Sequence, residues 1–146
     1  MCNWTRGRHE YTRTPVYSKN VKPTPMKRDY NLIRKILIDV EDAEPGQVIQ
    51  NFPYEGVDER IIAEHVKLLI DARYLEGEII RQFGTSAFAY AVTGMTWEGH
   101  EFLANAKNDT VWKKVMSDAQ KQGGSMSVSV LNTLLSAAAK KYLGLD

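Results

Sequence analysis

Between residues 29 and 42 the apolar positions Ile33, Ile36, Leu37 and Val40 fall three, four and seven residues apart. That spacing predicts a helix with one buried stripe, and Asp29 stands where a helix N-cap belongs. Pro45-Gly46 stops it and turns the chain. The partly apolar run 48–52 reads as a short strand that Pro53 ends. Gly56-Val57-Asp58 then opens a second helix with Asp58 as its cap. Its buried face is Ile62, Val66, Leu69 and Ile70, and it runs to about Arg73.

The pattern next changes period. Segments 75–83 and 88–93 are rich in Ile, Phe, Tyr and Val, and Gly84-Thr85-Ser86 lies between them, which predicts a β-hairpin. On its second strand Phe88, Tyr90 and Val92 share one face, while Ala87, Ala89 and Ala91 share the other. Thr96 caps a third helix reaching Asn105, in which Gly99 costs about 1 kcal/mol relative to Ala. Asn108 or Asp109 caps the next, with Trp112, Val115, Met116 and Ala119 on one face and Gly123-Gly124 at its end. Ser127 begins a last helix whose stripe is Leu131, Leu134, Leu135, Ala138 and Tyr142. The expected fold class is therefore α+β.

Composition narrows this further. The chain has 146 residues, 43% hydrophobic and 25% charged, which suits one soluble domain with a self-sufficient core. No stretch approaches the roughly 18 apolar residues of a membrane span, and one cysteine forms no internal disulfide. These features predict a cytoplasmic protein. The near-neutral total hides an asymmetry: residues 1–25 carry Arg6, Arg8, Arg13, Lys19 and Lys22 against Glu10 alone, while residues 26–146 carry 14 basic and 17 acidic groups. With three prolines and no Leu, Ile or Phe, residues 1–25 are expected to be a disordered basic arm preceding a single domain at 26–146. Three readings of the arm stand open. It is upstream of a natural start at Met26 and not native, or a passive tail, or a nucleic-acid arm in which Trp4, Tyr11 and Tyr17 stack on bases.

Helix, short strand, helix, hairpin, helix is the element order of a winged helix. The junction Lys67-Leu68-Leu69-Ile70-Asp71-Ala72-Arg73-Tyr74-Leu75-Glu76-Gly77 resembles the entry to a wing. Met95-Thr96-Trp97-Glu98-Gly99-His100-Glu101-Phe102-Leu103 resembles the helix that follows one. Together with Met26-Lys27-Arg28-Asp29, Leu32 to Leu37, His65-Val66-Lys67-Leu68-Leu69 and the later Asn108 to Lys114 and Gly123-Gly124-Ser125, these motifs resemble a family of small uncharacterised phage and bacterial proteins. That family is the domain of unknown function numbered 2513, which looks related to the YjcQ-type winged helix. The resemblance covers about residues 26–136. It implies a winged helix with two additional C-terminal helices and a phage or mobile-element setting, and it brings no established activity.

A winged helix contacts duplex DNA through a recognition helix in the major groove and a wing near the backbone. The candidate recognition helix, 58–73, carries Asp58, Glu59, Glu64 and Asp71 against Arg60 and Lys67 before its last turn, a face that phosphates repel. Against that, Arg28, Arg34 and Lys35 with Arg60 and Lys67 can form a basic patch, and Arg81 is the hairpin's single cation. The expected function is a non-catalytic binding module, in the leading version a DNA-associated transcriptional regulator that contacts duplex DNA through these six residues, in the alternative a protein-interaction module that engages a host protein. The last helix either folds back on its own domain, the favoured reading, or pairs with a second copy through Leu131, Leu134, Leu135, Ala138 and Tyr142. Trp97 and Trp112 are of the type that anchors an interface, but on amphipathic helices they are expected in the core.

The search for catalytic chemistry predicts a protein that is not an enzyme and uses no cofactor. His100-Glu101-Phe102-Leu103-Ala104 begins like a zinc-protease helix but has Ala104 where the second histidine must sit. His65 and His100 are each expected at a surface or core edge. Gly123-Gly124-Ser125 lacks the lysine of a phosphate-binding loop and reads as a helix end followed by a new cap. Glu76 and Glu78 alternate on one strand face and read as solvated.

Overall fold

The computed structural model describes residues 25–84 and 88–145. The basic arm before Pro25 lies outside the described residues, and so do Thr85 and Ser86 of the hairpin turn and Ala87 of the expected second strand. Helix α1 spans Tyr30–Glu41 and starts where the Asp29 carboxylate accepts the Asn31 and Leu32 N–H groups. Its stripe of Leu32, Ile33, Ile36, Leu37 and Val40 is buried. The run 48–52 does not become a strand. It makes one antiparallel bridge, with Ile49 and Val92 exchanging N–H···O bonds of 2.9 and 2.8 Å. Val48 stays 51% exposed, and the segment is held by the aromatic ring of Phe52, which stacks on Tyr90 at 5.9 Å. Helix α2, Glu59–Asp71, is capped by Asp58 and buries Ile62, Ala63, His65, Val66 and Leu69.

Strands β1, Leu75–Arg81, and β2, Phe88–Met95, form a two-stranded antiparallel hairpin. The register steps between Glu76, opposite Gly94, and Gly77, opposite Val92. This irregularity lets β2 run two residues past Thr93, the end expected from its β-rich composition. Gly77 is required there, because a Cβ would run into the Ala91 carbonyl. Tyr90 and Val92 point into the core as expected.

Three helices follow: α3, Trp97–Ala106, capped by Thr96; α4, Asp109–Lys121, capped by Asn108; and α5, Val128–Tyr142, capped by Ser127. One buried cluster runs from α1 through the hairpin to α5. α5 folds back on α4 and α3, with Leu131 and Leu135 fully buried and Ala138 packed against the core. Two members of its expected stripe do not join: Leu134 is 40% and Tyr142 58% exposed. Lying across two helices rotates α5, so Asn132 and Ser136 are partly covered instead, and Ser136 Oγ accepts a 3.1 Å bond from Asn105. Trp112 is core, as expected, whereas Trp97 is 75% exposed at the first position of α3.

Candidate functional site

Each of the six cations singled out from sequence is engaged by a different neighbour. Arg28 Nη2 donates to the Met126 carbonyl at 3.1 Å, and its guanidinium lies 4.9 Å above the Tyr30 ring. Arg34 reaches the end of α3, donating to the Ala106 and Lys107 carbonyls at 2.7 and 2.8 Å and to Asp109 at 2.5 Å. Those carbonyls are the acceptors that a helix end leaves open. The guanidinium also holds the Asp109 carboxyl below the usual carboxylate range. Lys35 Nζ sits 4.3 Å from the centroid of Tyr54. Arg60 turns back on its own cap residue, 2.7 Å from Asp58, and its hydrogen bond holds that carboxyl below the usual carboxylate range. Lys67 pairs with Asp71 at 2.9 Å, one turn on, and Arg81 stacks over Phe88 at 5.6 Å. The three cations contributed by α1 and its approach therefore reach the α4–α5 turn, the α3–α4 turn and the 45–57 segment respectively.

The consequence for α2 is an acidic outer face. Its two bases are matched by Asp58 and Asp71, while Glu59 and Glu64 have no ion-pair partner among the described residues. The hairpin adds Glu76 and Glu78, both exposed. Exposed apolar groups accompany these acids: Leu68 on α2 and Ile80 on β1 are 37% and 45% exposed, Phe83 at the hairpin tip is fully exposed, and Trp97 stands at the foot of α3.

The two histidines part ways. His100 is exposed, and Ala104 offers nothing to a metal. His65 is fully buried, not at an edge. Its Nε2 accepts the Asp29 N–H at 2.8 Å, which places the ring proton on Nδ1, donated to the Ile61 carbonyl at 2.8 Å. The ring thereby ties α2 to the cap of α1. Its place three residues after Ile62 and four before Leu69 is the signal that sequence reasoning passed over. Among the described residues no three His, Cys, Asp or Glu side chains converge as metal ligands would.

Two clefts complete the surface. One of about 740 Å³ lies between α3 and α5, with Glu98 and Glu101 on one wall, Lys140 on the other, and Tyr74 and Phe102 between them. Asn132 Oδ1 lines it, covered and without a hydrogen-bond partner. The other, of about 420 Å³, lies where Lys27 and Arg28 meet the Gly123–Met126 turn.

These features define an α+β domain of five helices and a two-stranded hairpin among the described residues, with no helix there long and apolar enough to cross a membrane. The chain belongs to the family described as "Hypothetical protein (DUF2513)", whose model matches residues 27–125, from the approach to α1 through the turn after α4. It is also similar to an uncharacterized protein of Haemophilus influenzae, 27% identical over 120 residues that cover 81% of this chain and 99% of that one. No solved structure matches the chain.

Proposed function

We propose that this chain is a non-catalytic winged-helix module, of phage or mobile-element type and acting in the cytoplasm, that engages a host protein rather than duplex DNA. The element order helix, bridge, helix, hairpin, helix supports the winged-helix reading. The observation that carries the choice of partner is the outer face of α2, the position of a recognition helix. Its two bases are spent on Asp58 and Asp71, and Glu59 and Glu64 remain to repel phosphate. The exposed Trp97 and Phe83 are of the residue types that anchor protein interfaces. A DNA-associated regulator is the rival, favoured by what the fold class most often does, which is fold-level analogy.

Fluorescence anisotropy of the full chain on a random duplex over a salt series separates the two. The charge reversals Arg60→Glu and Lys67→Glu are expected to leave the binding curve unchanged. A loss of affinity on reversal, with a shallower salt slope, overturns the proposal in favour of the regulator. Affinity capture from a host lysate is expected to yield a stoichiometric protein that Trp97→Ala releases.

A further inference from the structure

Gly123-Gly124-Ser125 fails as a phosphate-binding loop in the sequence because no lysine follows it. The fold supplies the cations from the other end of the domain. Lys27 and Arg28 stand against this turn and, with Tyr30 and Met126, enclose a cleft of about 420 Å³ with no carboxylate in its lining among the described residues. The adjacent acid in sequence, Asp29, is not part of that lining, and its Oδ1 is occupied by the Asn31 and Leu32 N–H groups.

One of the donors is held in place. Arg28 is fixed by its bond to the Met126 carbonyl and by the Tyr30 ring beneath it, and the Tyr30 hydroxyl donates to the same carbonyl at 2.9 Å. One of the five guanidinium N–H groups is used in this way, leaving the others to a ligand. Lys27 Nζ has no carboxylate partner among the described residues. The left-handed Gly123 and Gly124, φ 110° and 80°, spend their own N–H groups on Gln120 and Ala119. The Ser125 hydroxyl and N–H are bonded to nothing among the described residues.

We propose that this cleft binds the phosphate group of a small phosphorylated molecule. Two cations and a hydroxyl-bearing turn approach from separate chain segments, a three-dimensional donor set that suits a tetrahedral dianion better than a planar carboxylate. The cleft is also larger than inorganic phosphate alone needs and falls in the size range of small-ligand sites. This site is independent of whatever α2 engages.

The test is an amide NMR titration of the full chain with inorganic phosphate, against sodium chloride at matched ionic strength. Saturable shifts confined to residues 27–30 and 123–126 are expected. Lys27→Ala should weaken them about tenfold, the scale of one charge-assisted hydrogen bond. Ser125→Ala should weaken them less, and Lys140→Ala, on the other cleft, should change nothing. Shifts that the chloride control reproduces, or that Lys27→Ala leaves intact, overturn the proposal. So does a short DNA duplex that moves these amides while inorganic phosphate does not, because the ligand is then a backbone diester.

Discussion

Replacing Gly99 by alanine tests the packing at the junction of three elements, because local and tertiary reasoning predict opposite signs. Gly99 lies in the first turn of α3, where helix propensity alone favours alanine by about 1 kcal/mol. The surroundings forbid it. A Cβ on Gly99 would lie closer than 3.0 Å to the Tyr74 carbonyl oxygen and 2.6 Å from Met95 Cγ. Met95 can yield, but the carbonyl is backbone and already committed. It accepts the Thr96 N–H at 3.1 Å and the Thr96 hydroxyl at 3.2 Å, while that hydroxyl also reaches the Arg73 carbonyl at 2.5 Å. Arg73 itself holds φ at 64°, and the Tyr74 ring stacks on Phe102 at 5.5 Å.

Alanine must therefore push α3 away from the end of α2. Overpacking of this kind costs about 1–3 kcal/mol, and stretching the Thr96 N–H bond removes about 1 kcal/mol more. After the propensity gain, the net expectation is a loss of about 2 kcal/mol. For a chain of this length that lowers the melting temperature by roughly 4–8 °C. Urea unfolding followed by tryptophan fluorescence measures it, Trp112 being 3% exposed and thus a reporter of the core. A Gly99→Ala protein as stable as the parent, or more so, refutes the close approach of α3 to Tyr74.

Four further outcomes are expected. His65→Ala should destabilise by about 3 kcal/mol, through the cavity and the lost acceptor for Asp29 N–H. In the same urea assay His65→Phe, which keeps the volume, should recover only part of it, and full recovery would show that the bond to Asp29 contributes nothing. Arg34→Lys should cost about 2 kcal/mol, because an ammonium cannot serve the Ala106 and Lys107 carbonyls and Asp109 together. The depressed Asp109 carboxyl makes its pairing with Arg34 fully present above the usual carboxylate range and fading as pH falls through the folded value, so Asp109→Asn should flatten stability below about pH 4. Tyr54 is pushed up from the ordinary phenol range, first by burial and then by donating to the Asp39 carboxylate. Its contribution is present below about pH 10 and lost as pH rises further, so its phenolate absorbance should appear only with unfolding. A phenolate that titrates near pH 10 in the folded protein and is missing from Tyr54→Phe would contradict that bond.

The caps Asp29, Asp58, Thr96 and Ser127 were legible, and Asn108 was one of two alternatives, because an N-cap is decided within four residues of chain. The buried stripes of α1 and α2 followed from spacing for the same reason. What escaped depends on partners far away. Nothing near residues 75–77 announces the register step, since it is the Ala91 carbonyl, across the hairpin, that leaves no room for a side chain at 77. The rotation of α5 that exposes Leu134 comes from its lying on both α3 and α4. Trp97 fits an apolar stripe by spacing, but it stands at the first position of α3, where the core does not reach. The Lys27–Ser125 cleft joins residues almost a hundred positions apart, so no motif scan reads it.

The cations of this domain differ in what it costs to release them, and that bears on every charged partner. The Arg60–Asp58 and Lys67–Asp71 pairs are partly solvated, with side chains 55% and 31% exposed on the basic partner. Exposed pairs contribute no more than about 1 kcal/mol, so a polyanion can open them. Each opening, however, sets free a carboxylate on the face that already carries Glu59 and Glu64, and the field toward phosphate does not improve. Arg34, 16% exposed, serves two main-chain carbonyls, and withdrawing it leaves the end of α3 without donors. Arg28 and Lys27 need no such exchange. Arg28 keeps its bond to Met126 while offering its remaining donors outward, and no carboxylate is freed beside them. An anion meets least opposition at the turn after α4, not along α2, which is why the charge count of α2 is a poor guide to where this domain holds a phosphate.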